Sequence, residues 1–281
     1  MVLRRAPRSS GGGSGWGRLI IAGVIVVVSL ISYFGAQVYN PVTDETQHID
    51  LTVEQEIALG LQAAPEMAQQ YGGLSNDRQA TALVENVGEG IAAESDASGA
   101  PYDYEFYLLD DAETINAFAL PGGPIFITEG LLARLETEGQ LAGVLAHEIS
   151  HVVARHSAEH IAKARLTEGL TGAAVIAAYD PDNPSSQQTA QVAILIGQLV
   201  NLKFGRDDEL ESDRLGVRWM SQAGYDPRSM ASVMQILAEA GGPNRQPEFF
   251  STHPNPDNRI ENIEAAIAAE FPNGVPEGLT P

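Results

Sequence analysis

The chain has no cysteine, which removes disulfides, thiolate metal ligands, a cysteine nucleophile and a lipid-carrying N-terminal cysteine together. Histidine is scarce as well, with six in 281 residues, so any metal site must be drawn from few imidazoles and from carboxylates. Positive charge is the third shortage: 16 Lys and Arg face 37 Asp and Glu, giving a formal net charge of -21 and a pI near 4.5. A surface of that sign does not hold nucleic acid. Aromatic residues make up 6% of the chain, yet 44% of it is hydrophobic, enough for the core of one ordinary catalytic domain.

The charge is unevenly placed. Arg4, Arg5, Arg8 and Arg18 all precede the first acidic residue, Asp44, and the run from Leu19 to Ala36 carries no charge. At about 1.5 Å per residue, that run and its uncharged flank reach across a hydrocarbon core of about 30 Å. Cleavage after Ala36 or Gly35 would leave Phe34 or Tyr33 where a signal peptidase requires a small residue, so the run reads as a retained anchor. Arginines ahead of it keep the N-terminus in the cytoplasm and send the acidic domain across. The expected organisation is a disordered cytoplasmic tail over 1–18, a transmembrane anchor over 19–38, a linker over 39–50, a catalytic domain over 51–271 and a tail over 272–281. The expected location is the bacterial inner membrane, single-pass, with the catalytic domain periplasmic or extracellular.

Beyond the linker, helical spacing predicts helices over Leu51–Tyr71 and Asp77–Ser95, and a β-rich run predicts a strand over Tyr104–Leu109. Asn116–Thr128 reads as strand, turn and strand around Pro121–Pro124, with Pro124 suiting an edge strand. A long helix is expected over Thr137–Leu166 and a buried one over 168–178, then a loop over 180–186. Further helices are expected over Gln188–Phe204, Asp207–Ala223, Pro227–Ala240 and Pro256–Ala269. The fold class is α+β, mainly α, with a small sheet.

Within the long helix, His147-Glu148-Ile149-Ser150-His151 fits the HExxH pattern. Residues four apart lie about 40° apart around a helix, so both imidazoles can meet one ion. Glu148 points aside, where it can take a proton from water that the metal has activated. The flanking Leu141, Val144, Leu145, Ala146, Ile149, Val152 and Val153 put the motif on a buried helix, where an unpartnered glutamate is costly without a cation. His156 and His160 form a second such pair, but on a continuous helix they fall roughly 180° and 220° away, so packing or surface is their expected role. A catalytic zinc needs a third protein ligand, and the acidic run Arg206–Gly216 offers Asp207, Asp208, Glu209, Glu211 and Asp213. Spacing alone does not separate Glu209 from Asp208.

HExxH followed downstream by ExxxD, Glu209 to Asp213, resembles the gluzincin zinc metallopeptidases of the HtpX and CAAX prenyl protease superfamily, in its BepA-like periplasmic branch. The resemblance spans roughly residues 50–270. It implies one Zn2+ per chain held by His147, His151 and Glu209, with Glu148 as base and Asp213 supporting a ligating histidine. Glu211, about 200° away from Glu209, is expected to face solvent. The resemblance also implies an edge strand beside the active-site cleft, with Asn116, Ala117, Phe118, Gly123 and Ile125 as substrate-binding positions that pair with an extended peptide. In Ser251–Arg259, a His-Pro and an Arg six residues beyond the histidine match a segment near the zinc. His253 is expected either to cap the metal at rest or, with Arg259, to stabilise the oxyanion. HtpX-type members have several membrane helices where this chain offers one. The repeat domain that follows the peptidase domain in the periplasmic branch has no counterpart before Pro281, so partner binding tied to it is not carried over.

The resulting expectation is a membrane-anchored zinc endopeptidase acting on unfolded or damaged envelope proteins exposed at an open cleft. A chaperone or assembly factor with little proteolysis is the alternative. Oligomeric state is not legible.

Overall fold

The computed structural model describes residues 14–178, 204–240, 246–254 and 258–281. The chain divides into two units, Met1–Gln37 with Ile161–Leu202, and Val38–His160 with Lys203–Pro281. In the first, helix α1 (Ser14–Gly35) leaves Leu19, Ile20, Ile21, Val24, Val27, Val28 and Ile31 exposed along its length. It is long and apolar enough to cross a membrane.

Strands β1 (Gln37–Asn40) and β2 (Glu45–His48) form a two-stranded sheet that takes in the last two residues of the expected anchor and much of the expected linker. Helix α2 (Val53–Gln70) starts on a reciprocal cap between Thr52 and Gln55, and α3 (Arg78–Glu94) on Asp77, whose carboxylate accepts from two backbone N–H groups. Strands β3 (Glu105–Leu109), β4 (Ala117–Ala119) and β5 (Pro124–Thr128) make a sheet in the order β3-β5-β4. β5 runs parallel to β3 and antiparallel to β4. Alternation then sorts the side chains. Phe106, Leu108, Ile125 and Ile127 enter the main core, while Phe118, Phe126 and Leu109 face Ala68 of α2 in a second cluster.

Pro124 therefore begins the central strand, not an edge, and all five residues of β5 are buried. As first residue of the strand it removes no ladder donor that the sheet needs. The edge is β4. The turn between them uses Gly122 and Gly123 at φ 80° and 135°, and a Cβ on Gly123 would stand 2.3 Å from the Asp103 carbonyl oxygen.

Short α4 (Glu129–Leu132) leads to α5 (Glu138–Val153), the centre of the unit, in which every residue from Gly139 to Val153 is buried. The helix expected to run on to Leu166 stops at Ala154–Arg155, where Arg155 takes φ 57°, and α6 (His156–Ala178) starts afresh without a second interruption near 167. Four contacts fix the break. Asn40 and Gln47 side-chain amides donate to the Val153 and Ala154 carbonyls, and Arg155 reaches back to buried Glu56 and the Leu51 carbonyl. Helices α7 (Arg206–Gln222) and α8 (Arg228–Ala240) pack on α5, and short α9 (Phe249–Thr252) and α10 (Arg259–Glu270) follow. The expected helix over Gln188–Phe204 lies outside the described residues, save Phe204. The C-terminal segment is docked: Gly139 N–H donates to the Pro281 carbonyl, and Asp226 N–H to that of Thr280.

Candidate metal centre

Helix α7 crosses α5 at Gly216, where a Cβ would meet the His147 backbone nitrogen at 3.3 Å and the Met230 side chain at 2.7 Å. That close crossing brings the face of α7 bearing Glu209 and Asp213, one turn apart, against His147. The third contributor is the segment after α9, whose His253 is fully buried.

Four donor groups converge: His147, His151, Glu209 and His253 offer atoms that all lie within 4.8 Å of one another. His147 Nε2 is 3.1 Å from His151 Nε2, 3.4 Å from His253 Nδ1 and 3.4 Å from Glu209 Oε2. Glu209 Oε1 is 3.5 Å from His151 Nε2 and 3.1 Å from His253 Nδ1. Ligands at about 2.0–2.1 Å from a tetrahedral ion stand about 3.3 Å apart, so this set fits zinc. Three ring nitrogens and a carboxylate aimed at one point satisfy each other poorly with protons alone. Glu148 Oε1 and Oε2, Glu209 Oε2 and His253 Nε2 are buried without hydrogen-bond partners. A cation among them answers that cost.

Glu148 Oε1 lies 3.6 Å from His253 Nε2, and burial above all raises the pKa of the Glu148 carboxyl above the usual carboxylate value. Burial pushes His151 well below the usual imidazole range, which keeps it neutral. Burial opposes charge on His147 too, but hydrogen bonds to Asp213 and Glu209 outweigh it and raise His147 to about 9. Desolvation disfavours the Glu209 carboxylate, yet the histidines around it hold it well below its ordinary value.

Asp213 accepts at 2.9 Å from His147 Nδ1 and takes a two-pronged contact from Arg259, Nε and Nη2 at 2.8 Å each. Arg259 is 2% exposed and also stands 3.1 Å from Glu209 Oε2. Its guanidinium is thus engaged with ligand and supporting carboxylates. Asp208, weighed as a rival ligand, instead accepts from His160 Nε2 at 2.7 Å and from the Gly205 N–H at the start of α7. Both histidines expected to be bystanders belong to this neighbourhood. His156 is 1% exposed, with Nδ1 at 2.9 Å from His151 Nδ1 and Nε2 at 3.2 Å from Glu211 Oε2, so Glu211 faces inward. Phe204 stacks on His151 at 4.2 Å and Phe249 on His253 at 4.5 Å.

The substrate positions separate. Ala117 and Phe118 lie on edge strand β4, while Gly123 and Ile125 belong to the turn and the central strand. Asn116, just before β4, is buried and donates to the Tyr71 hydroxyl, which donates to Glu248 beside α9. The expected open cleft is shut here: His147, Glu148, His151, Glu209 and His253 are each at most 3% exposed.

The model of peptidase family M48 matches residues 78–267, which hold all these groups. The mitochondrial metalloendopeptidase OMA1 of Schizosaccharomyces pombe is 34% identical over 247 residues, 87% of this chain and 70% of its own length. The beta-barrel assembly-enhancing protease of Yersinia pestis is 32% identical over 218 residues, 75% of this chain, and that of Escherichia coli K12 is 32% identical over 193, or 66%. The chain spans 44% and 39% of those two bacterial relatives. With the donor set and the family match in agreement, the chain belongs to peptidase family M48 and is a zinc metalloendopeptidase.

Proposed function

We propose that His147, His151 and Glu209 hold the zinc, that Glu148 is the catalytic base, and that His253 closes the fourth position at rest. Bound zinc would supply a Lewis acid and would ease the loss of a proton from water, so that the resulting hydroxide could attack a peptide carbonyl near neutral pH. Glu148 takes the proton of the attacking water on a carboxylate oxygen and returns it to the departing amide nitrogen. Asp213 holds His147 by its Nδ1–H, and Arg259 holds Asp213 in turn. The observation carrying this reading is Glu148, whose two unpartnered oxygens sit beside four convergent donors.

Substrate enters this reading through β4. Its pairing with β5, in which Phe118 opposes Phe126, turns the backbone groups of Ala117 and Ala119 away from the sheet. Ala119 is partly exposed, so an extended peptide can begin pairing there. The segment bearing His253 hangs from the head of the same strand, because Phe249 N–H donates to the Ile115 carbonyl and His253 N–H to that of Phe249. A peptide drawn along β4 would loosen that segment and free the fourth position. Unfolded or damaged envelope polypeptides suit such backbone-led recognition. Helix α1 supports anchoring in a bacterial inner membrane, with the peptidase domain periplasmic or extracellular. An assembly factor that rarely cuts is favoured by one observation, the burial of a centre on which four protein groups converge.

Zinc content and casein cleavage of the full chain in detergent decide between them. Glu148→Gln should keep one zinc and lose at least 100-fold in turnover, about the size of a lost proton transfer. His253→Ala should cleave faster than wild type. No cleavage by wild type or by His253→Ala would support the assembly factor.

A further inference from the structure

Resting on zinc ligation by His151, we infer that His156 and Glu211 form a proton-ordered relay that positions this ligand. His151 turns its Nε2 toward Glu209 and His147, so that nitrogen must be unprotonated to bind a metal. Its one remaining proton then sits on Nδ1. The His156 Nδ1, 2.9 Å away, must accept that proton, because two ring N–H groups cannot share a contact of this length. With Nδ1 accepting, neutral His156 carries its hydrogen on Nε2, which donates to Glu211 Oε2 at 3.2 Å.

Each proton position thus follows from the one before. The reverse order, His156 Nδ1–H donating to His151, would leave a hydrogen on His151 Nε2 pointing into the donor group. Placement supports the relay: His156 is 1% exposed and the Glu211 side chain 13%, so water does not compete readily for either contact. The Ser212 hydroxyl is 3.4 Å from His156 Nδ1 and can turn its lone pair or its hydrogen to suit. His147 has a carboxylate in direct contact, at Asp213, whereas His151 receives the same support through one intervening imidazole. His156 can do this only because α5 ends at Ala154–Arg155, which swings it off the line of a continuous helix.

The test has two readouts on the full chain in detergent micelles. Nitrogen-15 NMR of histidine-labelled, zinc-loaded protein should show His156 as the Nε2–H tautomer and His151 as Nδ1–H. A protonated Nδ1 on His156 would overturn the relay. Zinc affinity by chelator competition should fall about 10- to 100-fold in His156→Phe, the usual cost of losing an outer partner of a metal ligand. His156→Asn, whose amide oxygen can accept from His151 Nδ1–H, should recover most of that loss, although it fills the pocket less well than Phe. Equal affinity in the Phe variant, or equal loss in Phe and Asn, would reduce His156 to a packing residue. Wild-type protein that binds no zinc would instead sink the metal reading itself.

Discussion

His147 and His151 stand one helical turn apart, yet the two sides of the centre are held by different means. On the His147 side, two long helices cross at Gly216 so closely that Asp213 touches the imidazole directly, and buried Arg259 grips Asp213 with two nitrogens. On the His151 side, α5 has reached its end, and His156 spans the gap to Glu211. The lesson is that close helix packing offers a ligand immediate support, whereas a helix terminus needs an intermediary. The first side should therefore be costly to damage and the second tunable.

The sharpest way to break the comparison is to exchange its carboxylates. Glu209→Ala should strip zinc from the protein on dialysis, while Glu211→Ala, two residues along the same helix, should keep one zinc at reduced affinity. Metal analysis of the two variants checks this, and the reverse pattern would move the third ligand. Next in size is Asp213→Ala. It leaves Arg259 buried without its main partner, so urea unfolding should show a loss of about 3–5 kcal/mol in addition to weaker zinc binding. His156→Phe should show the zinc effect without that loss.

A pH series sharpens the contrast further. Without metal His147 is raised from 6.5 to about 9, so the stability its proton contributes is complete below 6.5 and disappears as pH climbs through about 9. Zinc must displace that same proton, so apparent affinity should rise about tenfold per pH unit between 7 and 9 and then level off. Melting of apoprotein and chelator competition across this window should move in opposite directions. The smallest expected effects come from the caps that end α5: Asn40→Ala and Gln47→Ala should each lose about 1 kcal/mol in urea titration, with zinc retained.

Much of this architecture was legible from local pattern. The HExxH turn lies on a wholly apolar stretch, and Thr52 and Asp77 announce helix starts, so α2, α3 and α5 follow from sequence. The end of α5 did not. Nothing near Arg155 breaks a helix by propensity; the break depends on Asn40, Gln47 and Glu56, about 100 residues earlier. A helix continued past Arg155 would carry His156 to the far side, and the 200° between Glu211 and Glu209 points Glu211 to solvent unless His156 is there to meet it. Edge and centre of the sheet were likewise exchanged, since Pro124 carries the same local signal as the first residue of a central strand. Glu209 was separable from Asp208 only by family resemblance, because the spacing from His151 says nothing about which face of α7 meets α5.

The most direct test is zinc-edge X-ray absorption on the full chain as purified with zinc. The structure predicts one zinc per chain coordinated by three imidazoles and a carboxylate, falling to two imidazoles in His253→Ala with water in the vacated place. A wild-type spectrum without imidazole scattering, or one unchanged by removal of His147, would contradict a centre built on α5.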